Sequence, residues 1–140
     1  MKLLFSLPAA LLLAAGAAQA NNVIVLGSGA GEAKVSAADA RDMFLGRKTL
    51  WANGTKVRVC LLRGIPGDDR FYAELLDKDE RQFNAYWVRR LFSGNGVPPV
   101  MVTSPKELQD FLAGNPGGLC YASADLLSGM SPAPKSHPLP

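Results

Sequence analysis

The side chains able to act on a small anion are few and far apart in this chain. Gly27, Ser28, Gly29, Ala30 and Gly31 follow a short apolar run at 22–26. A glycine-rich loop leaving a strand can turn consecutive backbone N–H groups toward an oxyanion. Arg63 follows a second apolar run at 57–62, where its planar fork could clamp a phosphate through two parallel hydrogen bonds. A bound oxyanion would therefore draw on the N–H groups of Ser28 and Gly29 and on Arg63, at strand ends where open α/β sheets hold ligands. Two observations oppose this. The loop lacks the full dinucleotide spacing and Lys34 has no Walker context, so a plain flexible loop is the competing account. Asp68 and Asp69 follow Arg63 closely and would repel a phosphate, while Asp68 also reads as a helix cap.

Catalytic constellations are harder to assemble. The one histidine, His137, lies in a Pro- and Ser-rich tail, where no Ser–His or Cys–His pair can be held in geometry. Two separated cysteines with no partnering histidine make no closed metal site. The residues imply no enzyme, no metal and no cofactor. Cys60 and Cys120 both fall in expected core strands. They are read either as a disulfide closing a loop of about sixty residues or as two buried thiols packing as small hydrophobes. Strand geometry decides between them.

Several elements must position these groups. Ser36 can cap a helix over 37–45 whose apolar face is Met43 and Phe44, with Gly46 at the stop. Trp51 precedes Asn53-Gly54, a pair suited to positive φ, and the chain then enters a strand over 57–62. One helix starts near Asp68, and a longer one covers 80–92 with Phe83, Trp87 and Leu91 at helical spacing. A brief strand covers 100–102. Ser104-Pro105-Lys106-Glu107 has the form of a capping box with proline at the first helical position, opening a helix that ends at Gly114. A last strand covers 119–122. Strands alternating with helices predict an α/β domain with a small central sheet flanked by helices.

The order of these pieces resembles the phosphate-type periplasmic solute-binding family. The segment Met43-Phe44-Leu45-Gly46-Arg47, then Trp51, a turn and a strand, is similar to that family's opening pattern. Gly64, Pro66, Phe71 and Tyr72, then Tyr86-Trp87 and Leu91-Phe92-Ser93-Gly94, are similar to its following helices. Asn115-Pro116-Gly117-Gly118-Leu119-Cys120-Tyr121 resembles its closing strand, with Cys120 in place of a glycine. The resemblance spans roughly 23–123 and implies a single lobe of the type II periplasmic-binding fold. It also implies a solute-binding-like module taking phosphate or a similar oxyanion for an ABC-type uptake system. Gly67-Asp68-Asp69 stands where the family has Ser-Gly-Thr donors, and one lobe offers no opposite wall. The alternative is a periplasmic accessory or protein-interaction module that has lost solute capture, with an envelope protein rather than a transporter as partner.

Residues 1–20 have the form of a signal peptide: Lys2, an apolar stretch over 3–18, and Ala18-Gln19-Ala20 as a small-x-small cleavage site. The domain is then expected over 21–128 and a disordered tail over 129–140, where apolar side chains are too few to offset the entropy of ordering. The protein is expected in the periplasm or otherwise secreted. About 120 mature residues suffice for one core. Fifteen basic and twelve acidic residues leave a net charge of +3, scattered without the aromatic interleaving of a nucleic-acid groove. The motifs carry no signal for or against self-association.

Overall fold

A computed structural model describes residues 22–31, 35–64, 68–127, 130 and 135–138. The signal-peptide reading at 1–20, Lys34, and the Pro66 and Gly67 parts of the family pattern lie outside these residues. The fold is α/β: a five-stranded mixed sheet flanked by helices. The strands are β1 (Asn22–Leu26), β2 (Arg58–Leu62), β3 (Val100–Val102), β4 (Gly118–Ser123) and β5 (Lys135–Pro138), in the order β3-β2-β4-β1-β5. β2 runs parallel to both β3 and β4, whereas β1 runs antiparallel to β4 and β5. Four residues of β1 and five of β4 are buried, as expected of strands covered on both faces, which read as continuous apolar runs.

The helices form where the local signals put them. In α1 (Ala37–Phe44) the Ser36 hydroxyl accepts from the Asp39 N–H at 3.1 Å, and Ala40, Met43 and Phe44 are buried. Gly46 ends the helix with φ of 71°. A Cβ there would come 2.6 Å from the Trp87 ring, so glycine is required by conformation and by space. α2 (Asp68–Arg70) continues into a π-helical turn, Phe71–Leu75. There the Phe71 ring stacks on Tyr121 at 3.9 Å and meets Phe44 edge-on at 5.2 Å.

α3 (Glu80–Phe92) starts at a capping box that the helical reading did not use, Asp79 with Gln82: the Gln82 N–H donates to Asp79 and the Asp79 N–H to Gln82. In α4 (Pro105–Gly114) Ser104 caps as expected, but the Glu107 carboxylate accepts from the Thr103 N–H at 2.8 Å. Its reach is one residue longer than a capping box needs. The short α5 (Ala124–Leu127) follows β4 directly.

The tail departs from expectation. Residues 135–138, expected to be disordered, form β5 against the outer edge of β1. Ladder hydrogen bonds are made by the backbone, so an open edge can order a segment that brings few apolar side chains.

Candidate functional site

The sheet has two ends with opposite chemistry. At the end where β2, β3 and β4 begin, the chain makes a tight turn before β2. Leu50 bridges Lys56, the Trp51 N–H donates to the Thr55 carbonyl, and Gly54 takes a φ of 83°. Trp51 is buried, and its indole N–H donates to the Gly117 carbonyl at 2.9 Å. The Arg58 N–H reaches the same carbonyl at 3.1 Å. A Cβ at Gly117 would run into the Lys56 carbonyl, so this glycine permits the closest backbone approach in the region.

A groove of about 360 Å³ opens beside this turn. Met43, Val57 and Val59 give it an apolar floor, and Leu50, Val97 and Val100 stand at its mouth 49%, 61% and 39% exposed. Lys48, Lys56 and Arg58 also line it, and among the described residues no carboxylate does. Lys48 is paired with Asp39 at 3.0 Å, whereas Lys56 and Arg58 enter no ion pair among the described residues. β3 borders the groove, and among the described residues no strand pairs with its outer side. Val100 and Met101 on that edge are exposed. A groove of this size suits a side chain or small molecule, and an unpaired edge can accept an added strand.

At the other end, where the parallel strands finish, a shallower concavity of about 720 Å³ is lined by Asp68, Asp69, Asp77, Asp79 and Glu80 around Tyr72, with Lys78 the one cation among the described residues that line it. Burial first, then the charges of Glu80 and Asp68, push the Tyr72 hydroxyl up to about 12, with Arg63 partly opposing them. Tyr121 is pushed up further, by burial first and then by Asp68; a hydrogen bond from the Asn22 amide, at 2.6 Å, opposes this. These shifts are those of phenols kept neutral by a dry, negative surrounding.

The residues expected to hold an oxyanion are divided between these ends. The Gly29 N–H donates to the Pro116 carbonyl at 2.7 Å, and the Gly29 carbonyl accepts from the Asn53 amide. Gly27 donates to Gly118, and a Cβ on Gly27 would lie 2.5 Å from the Pro116 oxygen. The glycines of this loop thus let two backbones pack together, and the Gly29 N–H is already spent within the protein. Ser28 is exposed beside them. Arg63 lies at the opposite end: its N–H donates to Val102 at 3.0 Å and its guanidinium pairs with Glu80 at 3.3 Å. Ser28, Gly29 and Arg63 therefore do not form one site. The two cysteines, in contrast, are brought directly opposite each other, Cys60 on β2 and Cys120 on β4, both free thiols.

The basic groove was missed by the motif reading. Its signal was Lys56-Val57-Arg58-Val59, an alternation of cation and valine that was used only to place a strand. Among the described residues no group of His, Cys, Asp or Glu is arranged to hold a metal ion, and no helix is long and apolar enough to cross a membrane. No protein-family model, curated protein or solved structure matches the chain.

Proposed function

We propose that this protein is an exported, non-enzymatic accessory module that binds a partner protein at the basic groove and the open edge of β3. The observation that carries this reading is the groove itself: apolar floor, the cations Lys56 and Arg58 with no ion pair among the described residues, and an adjoining strand edge with exposed Val100 and Met101. An apolar surface bordered by charge on a small domain is a common form of interaction site. Export rests on the signal-peptide form of residues 1–20, and any kinship with the solute-binding family rests on the sequence resemblance alone.

Capture of phosphate for an ABC-type transporter has less support. Its donors lie at separate ends, and the concavity nearest Arg63 is lined by carboxylates. A photo-reactive residue at Val97 in the full chain, in the cells that produce it, is expected to give one discrete protein adduct. The adduct should be lost in Lys56→Glu/Arg58→Glu and absent when the probe is placed at Asp69. Calorimetry with millimolar phosphate should show no heat. No adduct from Val97, together with phosphate binding that collapses in Arg63→Lys, would reverse the assignment.

A further inference from the structure

Cys60 and Cys120 are paired residues of neighbouring parallel strands, so their side chains leave the same face of the sheet side by side. Neighbouring strands lie about 4.7 to 4.9 Å apart, inside the range of about 4.4 to 6.8 Å between Cα atoms that a disulfide tolerates. Both residues are fully buried. Burial first, and then the adjoining Cys60 thiol, push the Cys120 thiol well above its ordinary value, and with both residues buried neither sulfur is open to an oxidant in the folded reduced protein. The setting is thus one of close approach without access. It differs from that of reactive cysteines, which are open to solvent.

We infer that Cys60 and Cys120 form a buried disulfide staple across the centre of the sheet, closed during folding by exchange with an external disulfide. A thiolate of one cysteine attacks the incoming disulfide and releases one thiol. The second cysteine, as thiolate, then attacks the mixed disulfide and releases the other. Two protein thiols become one disulfide, and one external disulfide becomes two thiols. Because the sulfurs are sealed once β2 and β4 pair, exchange occurs before the strands close or when they transiently open. The covalent link would join β2 to β4 near the middle of the five-stranded sheet. Its presence in the cell rests on the export reading, since disulfides persist in oxidising compartments; its geometry does not.

The experiment is refolding of the full chain from denaturant in a glutathione and glutathione-disulfide mixture, and separately in excess reductant. In the oxidising mixture the monomer should lose the mass of two hydrogens and yield one proteolytic fragment pair linked through Cys60 and Cys120. It should melt at least about 5 °C above the reduced protein. Cys60→Ala/Cys120→Ala should melt at one temperature in both mixtures. A refolded monomer that keeps two thiols alkylatable in denaturant, or that forms only intermolecular bonds, would overturn the staple. Acid-quenched protein taken from the producing cells separates the two readings: a staple formed in vitro but absent there counts against export and leaves the pairing intact.

Discussion

The two ends of the sheet differ in the sign of the charge that lines them and in how far those charges are paired. Where β2, β3 and β4 finish, carboxylates surround Tyr72, and Arg63 is engaged with Glu80. Where the same strands begin, Lys56 and Arg58 stand over a valine floor beside the edge of β3, and among the described residues neither cation has an ion pair and no strand covers that edge. Open α/β sheets commonly hold ligands beyond the carboxyl ends of their strands, yet here that end is the one least able to accept an anion. Topology supplies a concavity at each end; the side chains that line it decide what it can hold.

The comparison is broken most severely at Trp51. Its ring is buried and its N–H holds the Gly117 carbonyl, which also receives Arg58. Trp51→Ala should cost about 3 to 5 kcal/mol, as large-to-small core changes do, and should loosen the basic end first. Thermal unfolding measures the loss, and hydrogen exchange should show early opening of 49–58. A variant melting with the wild type would mean that the basic end does not depend on this anchor.

Alkaline titration probes the acidic end. The Tyr72 hydroxyl is raised from 10.0 to about 12, so the folded state holds its proton more tightly than the unfolded state. The stabilisation is fully present below pH 10 and is lost as pH rises toward about 12. Melting temperature should fall across that window, and Tyr72→Phe should flatten part of the fall. The same slope in Tyr72→Phe would show that Tyr72 is not the group responsible.

A smaller effect is expected at the cap of α3. Asp79 accepts from the Gln82 N–H at 2.7 Å, and Asp79→Ala should cost about 1 kcal/mol by denaturant midpoint, offset in part by relief of repulsion in the acidic cluster. A stabilised variant would indicate that repulsion outweighs the cap. The smallest change is expected for Arg63→Lys. Its ion pair with Glu80 is half exposed on both sides, and such pairs contribute about 0 to 1 kcal/mol. Stability should hardly move, and phosphate should bind neither protein; tight binding by wild type alone would restore an anion site to the acidic end.

Much of the fold was legible because its signals are local. Ser36, Ser104 and Gly46 act within a turn or two of themselves, so the helices around them could be read from neighbouring residues. The apolar runs of β1, β2 and β4 followed from composition in the same way. The strand at Lys135–Pro138 was not legible, because its partner is an unpaired backbone edge, to which side-chain composition gives no clue.

The sequence by itself determined the α/β alternation, the capped helices and the Asn53-Gly54 turn. Tertiary structure decided which distant residues meet. It set Ser28 and Gly29 at one end of the sheet and Arg63 at the other, and it set Cys60 against Cys120. The reason lies in strand order and register. β4 arrives between β1 and β2 with Leu119 opposite both Leu26 and Val59. This pairing places the exit of β1 beside the entrance of β2, so groups that each follow a strand in sequence lie at opposite ends in space.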